Sequence, residues 1–283
     1  MIRFGPSGND AQFYAEGFKS TVDAPKWLSK MGLNALELNF GRGARMKTET
    51  AKQIGDEARK YDISVSAHAP YYINLASSDP ATVKKSYEYI KQCLEILNAV
   101  NASSGKKRVV IHTGFQKELT RDVAMENSRV NLKYVVDKLY ADDFTDFLLC
   151  IETMGRPKAI GMLDEILDLC KTADEIVPTI DFGHINAIEF GELKRTPKRM
   201  TEIMQHVLES IGAKPFHIHF YPAIYRENGE HKHTHLDDEK WAFPFEPLAK
   251  FLKANNLSPT IICESENQMA RDAVKLKNIY ERV

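Results

Sequence analysis

Eight short runs of apolar residues recur along the whole chain and constrain its fold more than any other feature. Each run is nearly continuous in apolar, often β-branched residues, as expected for a strand that is buried on both faces of a sheet. The runs occupy residues 1–6, 35–40, 63–70, 108–114, 147–154, 177–184, 215–220 and 259–266. This pattern predicts a parallel sheet that is covered on both sides.

Helical hydrophobic periodicity fills the intervals between these runs. Residues 82–97 and 200–211 each place apolar side chains on one face of a helix. Less regular helical patterns cover residues 11–31, 48–60, 119–140, 159–172, 246–255 and 268–281. Eight alternations of strand and helix predict a single (β/α)₈ TIM barrel over residues 1–283. A doubly wound open sheet is the main alternative, although no GxGxxG motif follows the first run.

One segment does not fit the regular alternation. Residues 221–245 follow the seventh run and are polar. The segment is too long for a minimal connection between a strand and a helix, so we expect it to be either functional or disordered.

Charge and cysteine usage narrow the class of protein. Lys and Arg number 38 against 39 Asp and Glu, which leaves a net charge of -1. The overall charge therefore does not point to nucleic acid or membrane, although a balanced sum can hide a local basic groove. The four cysteines form no CxxC pair, and no segment has the length of a membrane span or the apolar core of a signal peptide. We expect a cytoplasmic protein with free thiols.

Imidazole and carboxylate side chains stand at or just beyond the ends of six runs. Nine of them are candidate metal ligands: His68, His112, Glu152, Asp181, His184, His219, His231, His233 and Glu264. In a barrel, the carboxyl ends of the strands converge on one mouth. Carboxylates packed together there would repel one another unless cations compensate them. Imidazole and carboxylate without thiolate suit Zn²⁺, Mn²⁺ or Fe²⁺, and nine ligands suffice for two or three ions.

Two histidine clusters require a choice of ligand. His217 and His219 project to the same face of their strand, and His219 lies nearer the mouth, so we expect His219 to be the ligand and His217 to lie in the layer below. In the segment HKHTH, His231 and His233 are the preferred candidates and His235 is a neighbour. Clustered metals of this kind are typical of phosphoester hydrolysis.

With these residues in place, the chain resembles the endonuclease IV family of apurinic/apyrimidinic endonucleases. The resemblance extends over essentially the whole chain and rests on these motifs: SAHAPYYINLA (66–76), VVIHTG (109–114), CIETMG (150–155), TIDFGHI (179–185), HIHFY (217–221), HKHTHL (231–236) and IICESE (261–266). It implies a TIM barrel with a trinuclear zinc site.

The resemblance also implies an assignment of ligands to the three metals. His68 and His112 would bind the first metal, and Glu152 would bridge to the second. The second site would be completed by Asp181, His219 and Glu264, and the third would be formed by His184, His231 and His233. The family usually has Asp where His231 stands. The third site would thereby lose a negative charge, which lowers its expected affinity for zinc.

The reaction implied by the resemblance is hydrolysis of the phosphodiester 5′ to an abasic site in duplex DNA. The products would be a 3′-hydroxyl and a 5′-deoxyribose phosphate. Glu264 and Glu152 are the predicted catalytic residues, with Glu264 placed to orient the attacking water or to accept its proton. Tyr71 and Tyr72 match the position from which the family inserts side chains at the lesion, and Arg42 and Arg45 lie near its penetrating arginine. Family members generally act as monomers, so we expect a monomer that binds damaged DNA.

Two other interpretations of the same residues remain. A metal-dependent sugar isomerase or epimerase of the xylose-isomerase-like superfamily could use Glu152, Asp181, His219 and Glu264 for a single metal. Such an enzyme has no need for His68, His112, His184 and the HKH segment, which favours the nuclease. The second is a non-catalytic barrel that binds metal or DNA. Its only support is that His231 stands where the family usually has Asp.

Overall fold

The computed structural model describes residues 1–102, 105–212 and 214–283. Eight strands form the central sheet, and each coincides with one of the eight apolar runs. They are β1 Arg3–Pro6, β2 Ala35–Asn39, β3 Ser64–His68, β4 Lys107–Ile111, β5 Phe147–Glu152, β6 Ile176–Asp181, β7 His217–His219 and β10 Thr260–Cys263. A separate hairpin consists of β8 Ala223–Arg226 and β9 Gly229–His233.

The eight central strands run parallel and follow one another around a barrel. Their order in the sheet is β1-β10-β7-β6-β5-β4-β3-β2. A parallel bridge between Ser7 and Glu37 joins the two end strands and closes the circle. The predicted (β/α)₈ barrel is therefore confirmed. The register aligns Asp181 with His219 across β6 and β7, so side chains at the strand ends share one mouth.

Helices connect the strands on the outside of the barrel. Their bounds are α1 Ala11–Ala15, α2 Ala24–Lys30, α3 Thr48–Lys60, α4 Pro80–Val100, α5 Arg121–Ala141, α6 Leu163–Leu169, α7 Phe182–Ile188, α8 Glu192–Arg195, α9 Arg199–Ile211, α10 Glu246–Ala254 and α11 Met269–Arg282.

Local sequence explains where α4 begins and ends and which face of α9 is buried. Asp79 caps α4 by accepting hydrogen bonds from the backbone of Ala81 and Thr82, and Pro80 occupies the first turn. The helix ends where Asn101 adopts the left-handed conformation. In α9, the apolar side chains of the predicted stripe are buried except for Leu208, which is partly buried.

Three segments differ from the expectations. The single helical pattern of residues 11–31 divides into α1, a short 3-10 turn at Thr21–Asp23 and α2. The sixth apolar run, residues 177–184, divides into the end of β6 at Asp181 and the start of α7, which carries His184. The polar segment after the seventh run contains the β8–β9 hairpin, and this hairpin folds over the mouth of the barrel beside α7.

The interior of the barrel changes character along its axis. Val110, Leu148, Cys150 and Val177 form a small apolar cluster inside the sheet, whereas the layers above it carry buried histidines and carboxylates. All four cysteines are free and buried. Within the described ranges, no helix combines the length and apolar character that crossing a membrane requires.

Candidate metal centre at the barrel mouth

A first group of ligand atoms comes from the ends of β3, β4 and β5. Nε2 of His68 lies 3.2 Å from Oε2 of Glu152, and Nε2 of His112 lies 3.0 Å from the same oxygen. His68 and Glu152 are buried, and His112 keeps 15% of its side chain exposed. Consecutive parallel strands thus deliver two imidazoles and one carboxylate to a single point.

A second group shares Glu152 with the first. Nδ1 of His219 lies 3.1 Å from Oε1 of Glu152, 3.7 Å from Oδ2 of Asp181 and 3.9 Å from Oε2 of Glu264. One ligand atom from each of the four residues lies within 4.8 Å of all the others. Glu152 uses one oxygen toward each group, so it is placed to bridge two cations.

A third group includes a residue that the sequence did not indicate. The carboxylate of Glu230 joins two imidazoles: Oε2 lies 3.0 Å from Nε2 of His184, and Oε1 lies 3.2 Å from Nε2 of His233. Glu230 is 12% exposed. The group therefore consists of two imidazoles and one carboxylate, as in the first group.

His231, which the sequence analysis expects to be a ligand, lies outside this group. Pairing in the hairpin runs from Ile224↔Lys232 directly to Tyr225↔Glu230, so His231 is the extra residue of a β-bulge. A bulge re-aims the side chains on either side of it. His231 is exposed, while Glu230 faces His184. The negative charge expected at position 231 is thus supplied one residue earlier.

Gly155 lets the hairpin approach the barrel. Its carbonyl oxygen accepts a hydrogen bond from the backbone N–H of Glu230. A Cβ atom at position 155 would lie 2.6 Å from Cδ2 of His184 and 2.9 Å from Cβ of Glu230. Glycine is therefore required where the β5 loop, α7 and the hairpin meet.

Three of the imidazoles are oriented by a hydrogen bond from their second ring nitrogen. Backbone carbonyls can only accept hydrogen bonds, so Nδ1 is the donor in His68 to Ala69 at 2.9 Å, in His184 to Thr153 at 2.8 Å and in His233 to Glu264 at 2.7 Å. When the imidazole is neutral, Nε2 therefore carries the lone pair, and it faces the carboxylates. Outer hydrogen bonds of this kind are typical of histidines that bind metals.

Burial and neighbouring charges shift the pKa values of these groups in opposite directions. Burial alone would lower the pKa of His68, but the hydrogen bond and the charge of Glu152 raise it to about 9. Burial raises the pKa of Asp181 to about 6, although His184 opposes the shift. For Glu152, burial is outweighed by His219 and His112, which hold the pKa of this carboxyl well below its usual range. Without cations, the nearby carboxylates favour a protonated imidazole at His68, His184 and His219. Burial instead lowers the pKa of His112.

The donor set fits divalent cations. Oδ2 of Asp181 is buried and accepts no hydrogen bond from the residues that the structure describes. Leaving a buried carboxylate oxygen without a partner is costly, and a cation would satisfy it. Since the groups offer nitrogen and oxygen but no sulfur, they could hold metal ions of the kind that bind imidazole and carboxylate together.

The mouth opens into two cavities that meet at Tyr71. One, of about 360 Å³, is lined by residues of all three groups together with Phe115, Met154 and Arg156. The other, of about 580 Å³, extends toward the loops after β1, β2 and β10. Tyr71, His233 and Glu264 line both cavities. A substrate that spans them would pass directly over Glu264.

The predicted DNA-contacting residues lie around this opening. The Tyr71 ring stacks near His112, with centroids 5.4 Å apart, and is 53% exposed. Tyr72 points away, toward Tyr89, and is 60% exposed. Arg42 and Arg45 are exposed in the loop after β2. A hydrogen bond from the backbone of Tyr71 to Gly41 joins this loop to the tyrosines.

Sequence reasoning missed Glu230 and one further carboxylate that touches the site. Asn228-Gly229 stands where the turn leads into β9 and is a strong signal for a hairpin, which could have placed Glu230 on a strand. Glu37, on β2, is buried, and its Oε1 lies 3.1 Å from Nε2 of His219. Its signal was a charged residue inside the apolar run ALELNF.

Comparisons with known proteins agree with the fold and the motifs. The profile of the xylose isomerase-like TIM barrel family matches residues 25–279. An uncharacterized protein of Methanocaldococcus jannaschii is 32% identical over 100% of this chain and 98% of its own length. The probable endonuclease 4 of Mycoplasma genitalium is 24% identical over 65% of this chain and 60% of its own.

A solved structure shows the same architecture. The D-tagatose 3-epimerase-like protein superposes with a TM-score of 0.67 and 21% identity, covering 88% of each chain. The predicted resemblance to the endonuclease IV family is confirmed by the family match and by the endonuclease 4 relatives. The chain belongs to the xylose isomerase-like TIM barrel family.

Proposed function

We propose that this protein is a metal-dependent DNA-repair endonuclease that hydrolyses the phosphodiester 5′ to an abasic site, leaving a 3′-hydroxyl and a 5′-deoxyribose phosphate. The observation that carries the proposal is the presence of three adjacent ligand groups at one mouth. Sugar isomerases of this superfamily need one metal, whereas phosphoester hydrolysis uses clustered metals. Glu230, His184 and His233 add a third group, in which one carboxylate contacts two imidazoles, beyond the four residues that both reactions share.

The ligand groups would hold two or three Zn²⁺ ions, with Mn²⁺ or Fe²⁺ as substitutes. His68, His112 and Glu152 form the first site. The second comprises Glu152, Asp181, His219 and Glu264, and the third comprises His184, Glu230 and His233. Bound metals would lower the pKa of a water molecule and neutralise charge on the phosphate. Because Glu230 supplies a carboxylate, the third site keeps the negative charge that His231 lacks.

Glu264 is the residue placed to handle the proton of the attacking water. Its side chain is 10% exposed, whereas Glu152 is fully buried. It lines both cavities, so it can contact a substrate that lies across the mouth. A carboxylate in this position can orient the water and accept its proton, while Glu152 remains a bridge within the centre.

Tyr71 would fill the space left by the missing base. An abasic nucleotide has no base to unstack, so its extrusion costs less than that of an intact nucleotide. The ring of Tyr71 is half-exposed beside His112 and could stack against the neighbouring bases. Arg42 and Arg45, on the adjoining loop, would contact the phosphate backbone.

The experiment that tests the proposal is incision of a labelled duplex containing one stable abasic analogue. The enzyme is first analysed for metal content per chain. We expect cleavage 5′ to the analogue, loss of cleavage on chelation and its return with zinc or manganese. The intact duplex of the same sequence is the substrate control. Absence of incision by protein carrying three metals would contradict the proposal.

A single-metal epimerase is the second candidate because Glu152, Asp181, His219 and Glu264 alone could serve it. That enzyme would move a proton on a sugar and leave phosphodiesters intact. Incubation with D-tagatose, followed by separation of the sugars, measures this activity. If the protein binds one metal per chain and epimerises the sugar, the epimerase becomes the supported function in place of the endonuclease.

A further inference from the structure

A second polar cluster lies beneath the metal centre, inside the barrel. It consists of Glu37, Ser66 and His217, together with the Nε2 side of the His219 ring. Oε2 of Glu37 accepts a hydrogen bond of 2.8 Å from Oγ of Ser66 and lies 3.1 Å from Nε2 of His217. Its other oxygen lies 3.1 Å from Nε2 of His219. The two histidines and Glu37 are entirely buried, and Ser66 is 5% exposed.

His219 lies between this cluster and the metal centre. Its Nδ1 faces Glu152, Asp181 and Glu264, while Nε2 faces Glu37. A neutral imidazole has one lone pair and one N–H. If Nδ1 binds a cation among the three carboxylates, the proton must reside on Nε2, which lies 3.1 Å from Oε1 of Glu37.

In three other histidines of the site, the main chain accepts the proton of the second ring nitrogen. His68, His184 and His233 each donate from Nδ1 to a backbone carbonyl. His219 instead depends on a side chain from across the barrel. A substitution of Glu37 can therefore change which ring nitrogen of His219 carries the proton, and it does so without altering the backbone.

The lower cluster also has the composition of a metal site. One ligand atom each of Glu37, His217 and His219 lies within 4.8 Å of the others. However, once Nε2 of His219 carries the proton, that nitrogen offers no lone pair. Two ligands then remain, fewer than the three or four that protein zinc sites use. The cluster is thus better suited to orient His219 than to bind a further cation.

We propose that Glu37 is a positioning residue that keeps the proton of His219 on Nε2 and presents Nδ1 to the metal centre. Ser66 holds the second oxygen of the Glu37 carboxylate by a hydrogen bond, and Nε2 of His217 lies 3.1 Å from the same oxygen. The inference rests on the metal-binding part of the proposed function, which the endonuclease and the epimerase share.

The first test measures metal affinity in Glu37→Gln by competition with a chelator. The amide oxygen is a weaker acceptor than the carboxylate, and its NH₂ group must face either Ser66 or a histidine. We expect affinity to fall about 10- to 100-fold for one metal, the range found for lost outer hydrogen bonds, with the remaining metals bound as in the wild type. Glu165→Gln is the matched control, since Glu165 is a half-buried carboxylate on α6 that pairs with Arg121. Unchanged affinity for every metal in Glu37→Gln would overturn the proposal.

The second test uses the zinc-loaded wild-type protein and needs no variant to fold. In ¹⁵N-labelled histidine spectra, we expect His219 to show a protonated Nε2 and a metal-bound Nδ1. A proton on Nδ1, or a metal coordinated by Nε2 of His219 and by Glu37, would overturn the proposal. Both readouts are independent of DNA. Protein that fails to incise abasic duplex but shows the expected affinity loss would refute the proposed function and leave the role of Glu37 intact.

Discussion

Oε2 of Glu230 lies 3.0 Å from Nε2 of His184, although 46 residues separate the two in the chain. The contact depends on a bulge at His231, which turns Glu230 inward, and on a glycine at position 155, which lets the hairpin reach the barrel. It completes a third ligand group that a single-metal enzyme would not require.

Replacement of Glu230 by Gln should remove one metal from the protein. The amide keeps the size of the side chain but loses the charge that joins His184 to His233. We expect the affinity for the weakest-bound metal to fall more than about 100-fold, because the loss of a direct ligand lowers metal affinity more than the loss of an outer hydrogen bond does. Metal analysis after dialysis measures the change. His231→Ala is the matched control, and loss of the same metal in that variant would restore His231 as the ligand.

Gly155→Ala should separate the hairpin from α7. The added methyl group would lie 2.6 Å from the His184 ring, so either the ring or the hairpin must move. Overpacking of this kind costs about 1–3 kcal/mol, which denaturant unfolding would detect, and metal content should fall by one ion. Gly105→Ala serves as control because a methyl group there would meet none of the described residues within 4 Å. Full metal content in Gly155→Ala would show that the third group tolerates the displacement.

Glu264→Gln should abolish incision while leaving DNA binding intact. The substitution removes a proton acceptor at the open side of the centre and keeps the side chain volume. Incision rate and affinity for abasic duplex are measured separately, at saturating metal. Normal turnover by this variant would assign the proton transfer to another group.

Tyr71→Ala should weaken binding to abasic duplex more than binding to intact duplex. Stacking of a base on an aromatic ring is worth about 1–3 kcal/mol, which corresponds to a loss of roughly 5- to 150-fold in affinity. Tyr72, which is directed toward Tyr89 at the rim, should show the same preference with a smaller loss. Equal weakening for both duplexes would exclude insertion of either ring at the lesion.

Metal binding should release protons at neutral pH and strengthen as the pH rises. In the metal-free protein, the pKa of His68 is raised to about 9, so its imidazole is protonated at pH 7 and must lose that proton to bind a cation. Affinity should therefore increase between pH 7 and about 9. Below pH 6 it should fall further, because Asp181, with a pKa raised to about 6, also becomes protonated. Calorimetry in buffers of different ionisation enthalpy counts the protons, and zero proton release would contradict the assignment of His68.

The barrel and most of its candidate ligands could be predicted from local pattern. Parallel strands in register place their carboxyl ends at one edge, so apolar runs that end in His68 and Glu152 suffice to bring those side chains together. The apolar stripe of α9 is likewise a local feature, and it occurs in the structure as expected.

The sequence by itself determined the fold class, the polar mouth and the chemistry of the donor groups, because side-chain period and strand direction follow from neighbouring residues. Only the tertiary structure decided that Glu230, and not His231, faces His184 and that Glu37 touches His219. The first depends on a bulge that shifts the side-chain alternation of β9 by one residue. The second depends on barrel closure, which sets β2 opposite β7. Neither relationship is encoded in a local period, since each arises where distant segments pack against one another.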